Sequence, residues 1–436
     1  MMSPKNSVKN NDNYKGRGWE IRFTSIDPAK SPSQFAPSSA LRANLSKAAV
    51  LDVPDLVCLS HLRWNSVYQR PQHLLSRCAK NRRVFFVEEP ILIATGDWRL
   101  DVSIHASGVW VIAPHLNEEI SKETAQTAQQ AMLDDFFQAA EINNYILWYY
   151  TPMAVSFTNH LKPLAVVYDC IDELSAFHGV HPDFKANETQ LLKRASIVFT
   201  GGHSLYEAKQ HQHANIHPFP SSIEKEHFTN ARNLSETSAD QADQKDIPHP
   251  RLGFFGVIDE RMDIELLGGI AEARPDWHLV IIWPVVKIDQ ATLPTNPNIH
   301  YLGGKSYQEL PAYIAGWDIA ILPFAINEST KFISPTKTSE YLAAGKPVIS
   351  TSIRSVVQPY GEKGLVRIAS NVAEFVAAGE EIMSESLADR TKWLSEVDAF
   401  LADSYWDNTW GEMLGLLESA IAGKKQTSEG WIKVLN

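Results

Sequence analysis

Lys337 and Glu340 are the residues whose spacing in this chain points most directly to chemistry. Three positions apart, they share one face of any helix that contains them. The surrounding sequence spells such a helix. Ser334 suits the N-cap, Pro335 the first helical position and Gly345 the C-terminal stop, and Pro347 can begin a following strand. A loop feeding a capped helix presents unpaired N–H groups and a positive dipole end, a seat for a diphosphate. Ser334 and Thr336 would line that seat, and Lys337 would add a point charge. Glu340, expected on a partly exposed helix face, would accept both hydroxyls of a ribose. Phosphate seat and diol acceptor one turn apart imply a site for a nucleotide-sugar. Gly256 and Arg261 extend it. Gly256 ends a predicted strand over residues 251–256 and permits close backbone approach to a phosphate. Arg261 matches phosphate geometry, or it pairs with Glu260 or Asp263 at a helix start.

The run S-P-T-K-T-S-E-Y-L-A-A-G-K-P-V, from Ser334 to Val348, resembles the donor-site signature of retaining GT-B glycosyltransferases of the family 4 kind, the glycosyl transferases group 1. The residues after Phe254 resemble that family's glycine-containing first loop of the C-terminal domain. The residues from Phe219 to Phe228 are loosely similar to its crossover between domains. The resemblance covers about residues 54–420. It implies an α/β fold of the GT-B type, two Rossmann-like domains facing across a cleft. It also implies a reaction: retaining, metal-independent transfer of a hexosyl group from a nucleotide diphosphate sugar to an acceptor hydroxyl. UDP is the commoner nucleotide in such families, and GDP stays open. The acceptor would be carbohydrate or lipid-linked, in synthesis of a bacterial surface polysaccharide or glycolipid, with no cofactor beyond the donor. One position departs from the pattern. Many relatives carry two glutamates separated by seven residues, whereas Phe332 stands eight before Glu340 and Glu328 is out of register. A nucleotide-sugar 2-epimerase of the same fold and a non-catalytic scaffold are the alternative readings.

The N-terminal half is expected to bind the acceptor. Arg63, in the loop after a predicted strand at 55–60, and Arg70 and His73, at the start of a predicted helix at 69–79, are the candidates. Either they face the acceptor or donor phosphate, or Arg70 pairs with Glu88 or Glu89 and His73 packs. Asp169 and Asp172 follow a strand at 165–168. They are candidates for proton transfer or acceptor hydroxyls, with helix capping as the plain alternative. His203 follows the strand at 196–200 and could reach the acceptor. His203, His211, His213 and His217 lack a metal-ligand spacing, so no metal site is expected. No P-loop or G-x-G-x-x-G is present.

The elements that must position these residues read as two α/β runs. Residues 1–47 carry eight Lys or Arg and three acids and read as a disordered basic arm, suited to an anionic membrane surface or to a solvated tail. Residues 48–232 form the acceptor domain, 233–250 a polar linker and 251–404 the nucleotide-sugar domain. Residues 405–436 form a final helix returning toward the first domain, with a tail. Trp283 to Val286 would wall a base pocket or join the core. At 436 residues two domains are the natural prior. The net charge of −11 argues against a nucleic-acid partner, and three scattered cysteines fit a reducing cytoplasm. No signal peptide or membrane-spanning run is visible, so the location expected is cytoplasmic, or peripheral at the inner face of the membrane.

Overall fold

Runs of apolar residues too short for helices and lacking alternation predict strands covered on both faces. The computed structural model contains such strands in both halves. It describes residues 14–15, 19–25, 53–176, 180–234, 243–282 and 289–434. Counting described residues, the chain forms two units. One comprises Met1–Cys170, His181–Val198 and Leu414–Asn436, the other Ile171–Val180 and Phe199–Met413.

In the first unit the strands are β1 (Tyr14–Lys15), β2 (Glu20–Ser25), β3 (Asp55–Ser60), β4 (Val84–Glu88), β5 (Ile91–Ile93), β6 (Arg99–Ile104), β7 (Trp110–Asn117), β8 (Tyr145–Tyr149), β9 (Ala165–Cys170) and the first half of β10 (Ile197–Thr200), whose Phe199 and Thr200 count with the second unit. Their order is β1-β2-β6-β7-β4-β3-β8-β9-β10, with β5 beside β7. β3, β4, β8 and β9 are buried along their whole lengths. They pair in parallel, as βαβ connections require. Two features depart from the sequence reading. β6 runs antiparallel to β7, and β2 lies parallel to β6 within the stretch expected to be a disordered arm. Buried Trp19 and Ile21 are the physical reason: two apolar side chains anchor a backbone that β6 then pairs. The other residues of that arm, apart from 14–15, lie outside the described residues.

The second unit carries β11 (Ile216–Pro218) and a sheet of β12 (Arg251–Phe255), β13 (His278–Ile282), β14 (Ile299–Tyr301), β15 (Ile319–Leu322), β16 (Val348–Ser350) and β17 (Arg367–Ile368). That sheet runs β14-β13-β12-β15-β16-β17 with every pair parallel. The Ile264–Ala273, Leu310–Ala315, Thr336–Ala343 and Val372–Ser384 helices supply buried residues to its core, around Trp277, Trp317 and Tyr341. The expected linker is packed where it is described. The Gln244 amide donates to the Tyr313 carbonyl at 3.2 Å and accepts from Trp317 Nε1 at 3.0 Å, and Ile247 is buried. A polar composition concealed one amide and one aliphatic residue that suffice to dock the segment. Trp283 to Val286 lie outside the described residues. The final helix, Trp406–Val434, begins in the second unit, and its residues from Leu414 onward count with the first. Among the described residues, no helix is long and apolar enough to cross a membrane.

Candidate active site

The Thr336–Ala343 helix starts one residue later than its sequence suggests. Pro335 occupies the N-cap position, with φ −65° and ψ 112°, and contributes no side-chain cap. At the other end Gly345, at φ +76°, closes the helix: Lys346 N donates to the Tyr341 carbonyl at 3.0 Å. Arg232 reinforces this end, donating from Nε to the Ala343 carbonyl at 2.7 Å while its other nitrogens engage Asp398 at 2.9 and 3.0 Å. Tyr341 docks the helix onto β12. Its ring stands edge-on to Phe255, and its hydroxyl accepts a hydrogen bond from Phe255 N at 2.9 Å.

One helical turn before Tyr341, on the same face, Lys337 lies across the end of β12. Its ammonium is 6.0 Å from the centre of the Phe255 ring. Gly256 there has φ +145°, and a Cβ would come within 2.1 Å of Lys337 Cε. The glycine expected to admit a phosphate thus admits the lysine side chain. Burial lowers the Lys337 pKa. Glu340 pulls it back up and neighbouring Arg261 pushes it down.

Arg261 is paired with Asp259, a partner the sequence reading did not name. Arg261 Nε donates to the two carboxylate oxygens at 2.9 and 3.1 Å, and Nη2 donates at 2.7 Å. Asp263 instead caps the Ile264–Ala273 helix, accepting from Leu266 N at 2.9 Å. Asp172 joins this group. Burial raises its pKa, the charges of Arg261 and Lys337 oppose that rise, and Asp259 adds to it. Glu340 is 8% exposed, not on the partly exposed face expected. Burial pushes its carboxyl up to about 7 against the opposing pull of Lys337 and the Thr336 hydroxyl. Two cations and three carboxylates therefore converge at one end of the second unit's sheet, beside the N-terminus of a helix. Such a constellation can bind a diphosphate and accept hydroxyl protons.

Ser334 borders the Gly201–Gly202 turn. A Cβ on Gly202 would lie 3.1 Å from Ser334 Cβ, and one on Gly201 would lie 2.2 Å from the Ile171 carbonyl oxygen, so these glycines serve close chain packing. His203 is exposed at the start of the His203–Lys209 helix. Glu328, 81% exposed at its side chain, stands 3.6 Å from Lys331. In the sequence, the carboxylate two residues before Arg261 was the signal for Asp259.

The first unit holds Arg63, Arg70, His73 and Asp169. Arg70 pairs with Asp169, Nε to both carboxylate oxygens and Nη2 to one, at 2.9–3.1 Å. Their side chains are 3% and 0% exposed. Arg63, not Arg70, takes Glu88, with 2.9 Å from Nη1, and it also donates to the carbonyls of Glu89 and Pro90. His73 is buried with its ring edge-on to Tyr68. These contacts make Arg70, Asp169 and His73 interior groups and spend Arg63 on the end of β4 and the two residues that follow it. Among the described residues, no group of three or more His, Cys, Asp or Glu is arranged to hold a metal ion.

Residues 250–385, which include Gly256, Asp259, Arg261, Lys337 and Glu340, match the family model of glycosyl transferases group 1. Over 259 residues the chain is 24% identical to TuaH of Bacillus subtilis, whose name assigns it to glycosyl transfer in teichuronic acid biosynthesis. The match covers 55% of this chain and 64% of that protein, so the chain spans a little under two thirds of that curated relative. Among solved structures, sucrose-phosphate synthase of Thermosynechococcus elongatus superposes with a TM-score of 0.64 at 14% identity, covering 85% of this chain and all of that one. Anabaena HepE in complex with UDP and glucose gives 0.60 at 11%, covering 84% and 99%. An E. coli trehalose-6-phosphate protein bound with UDP-2-fluoro glucose gives 0.59 at 12%, covering 84% and 99%. The chain thus has the GT-B fold, and its residues 250–385 match the glycosyl transferases group 1 model.

Proposed function

We propose that the protein is a retaining glycosyltransferase that moves a hexosyl group from a nucleoside diphosphate sugar to a hydroxyl of a carbohydrate or lipid-linked acceptor. The synthesis served would be that of a bacterial surface polysaccharide or glycolipid, as the name of TuaH suggests for that relative. The carrying observation is the convergence of Lys337 and Arg261 at the start of the Thr336–Ala343 helix, with Glu340 one turn on. Departure of a nucleoside diphosphate leaves negative charge on its terminal phosphate. Fixed cations and helix N–H groups stabilise that charge without solvent reorganisation. In this reading no metal is required, Glu340 accepts the ribose diol, and Gly256, Ser334 and Thr336 border the phosphates. UDP is the first choice of nucleotide, since HepE carries UDP and glucose. The basic bias of residues 1–47 suits contact with an anionic inner membrane face. Failure to float with anionic vesicles would remove that last element.

The test is a thermal-shift screen of UDP, GDP, ADP and their sugars, followed by donor turnover with and without acceptor extract. A ligand at a hundred times its Kd raises stability by about 2.7 kcal/mol. Turnover that depends on acceptor supports transfer. Turnover to an isomeric nucleotide-sugar without acceptor marks an epimerase. Nucleotide binding with no turnover at all, for which Phe332 in the glutamate position is the motive, marks a scaffold.

A further inference from the structure

Asp259 is buried, although it sits on a loop among charged residues. Its carboxylate grips one edge of the Arg261 guanidinium through Nε and Nη2 and also accepts Arg261 N at 3.0 Å. The plain explanation is that this pair shapes the turn. The turn is already shaped by other bonds. Met262 N donates to the Asp259 carbonyl at 3.0 Å, Asp263 N to the Pro323 carbonyl at 2.8 Å, and Ala325 N to the Arg261 carbonyl at 2.8 Å. Met262 also forms a β-bridge with Phe324. The backbone of Arg261 is thus fixed on both sides without the Asp259 side chain. What the carboxylate adds is orientation of the guanidinium fork and charge.

The charge has a reason. Arg261 stands close enough to Lys337 for the two cations to repel. In a ligand-free protein such a pair needs anions nearby, and Asp259 and Asp172 are carboxylates whose charges act on both. A guanidinium gripped along one edge loses its rotation, so it meets a phosphate with one geometry and loses little entropy on binding.

We propose that Asp259 is a positioning residue, which holds Arg261 beside Lys337 so that the two cations receive the donor diphosphate together. The inference rests on the donor-site reading above and adds to it a second carboxylate that touches no part of the substrate. Asp259 acts only through Arg261, so its effect is confined to phosphate recognition.

The experiment compares a nucleoside diphosphate with its nucleoside, using UDP and uridine, or GDP and guanosine if the screen selects GDP. Calorimetry is run on the full-length wild type, Asp259→Asn, Arg261→Met and the double variant. We expect Asp259→Asn to weaken the diphosphate tenfold or more, leave the nucleoside unchanged, and add less than twofold when Arg261 is already Met. Unchanged preference for the diphosphate in Asp259→Asn overturns the inference. So does a further tenfold loss in the double variant. Should Asp259→Asn not fold, Asp259→Glu reports on the same point, because it keeps the charge and displaces the grip on the fork. Loss of the diphosphate preference supports the inference, and full retention overturns it. Wild-type protein that binds none of UDP, GDP or ADP overturns the donor-site reading itself, a different result from tight wild-type binding that Asp259→Asn retains.

Discussion

A lysine in the first turn of a helix opposes the macrodipole, and Lys337 also loses hydration against Phe255 and Gly256. Lys337→Met keeps the stem and removes the charge. The ligand-free variant is expected to melt at the same temperature or slightly higher, while turnover falls tenfold or more, about 1.4 kcal/mol of barrier. A lower Tm with an unchanged rate per folded molecule would make the residue structural. Glu340 permits a test with pH. Its folded-state pKa, about 7, lies above the ordinary 4.5, so the folded protein binds more protons than the unfolded chain between those values. Stability from this group is fully present below pH 4.5 and is lost as pH rises through 7. Glu340→Gln carries no such dependence. The variant should match the wild type near pH 4.5 and melt above it at pH 8, by at most about 3 kcal/mol, and a constant offset across that range would refute the assignment. Glu340→Ala, in turn, should weaken nucleotide binding by about 1.5–3 kcal/mol in calorimetry. The placement of Lys337 and Glu340 on one helix could be read from spacing because it depends on local sequence alone. The Asp259 and Tyr341 contacts, and the burial of Glu340, arise between segments and have no periodic signature.

At the scale of elements, the join between β12 and the Thr336–Ala343 helix tolerates no side chain at position 256. Gly256→Ala meets both an unfavourable φ and the Lys337 methylenes. We expect a loss of about 1–3 kcal/mol in denaturant unfolding, part of it relieved when Lys337 is also replaced by Ala. Identical losses in both backgrounds would show that backbone strain alone acts. Lys346 ties a different joint. Its ammonium donates to the carbonyls of Ala315 and Trp317 at 2.8 and 2.7 Å, closing the Leu310–Ala315 helix. Lys346→Met should cost about 1–3 kcal/mol of stability and leave nucleotide affinity alone, and altered affinity would place it in the site. Strand and helix positions in both runs were legible because apolar runs and caps are local. Ile91–Ile93, Arg99–Ile104 and Trp110–Asn117 were not legible as strands. Their pairing depends on β4 and on one another, although the alternation across Arg99–Ile104 is itself a strand signal that the sequence reading passed over. The predicted cap slipped from Ser334 to Pro335 because a serine hydroxyl is only one way to begin a helix.

For the molecule as a whole, the donor-site reading makes a claim about metals. Lys337, Arg261 and a helix N-terminus would supply the positive charge that a divalent ion supplies elsewhere. Turnover should survive EDTA and gain nothing from Mg²⁺ or Mn²⁺; abolition by chelator with restoration by metal would end that model. Fold class was legible from the alternation of short strands and helices. The division of the chain was less so: residues 199–232, expected in the first domain, count with the second unit. Chain order does not reveal which neighbours a segment will find. Glu340 has a last consequence, for calorimetry. Near pH 7 about half of these carboxyls hold a proton, yet only the anion can accept both ribose hydroxyls. Binding must then expel roughly half a proton per molecule into the buffer. The measured heat should therefore change with the buffer's own enthalpy of ionisation, more exothermic in Tris than in phosphate, and the difference should fade by pH 9 as the carboxylate becomes fully ionised beforehand.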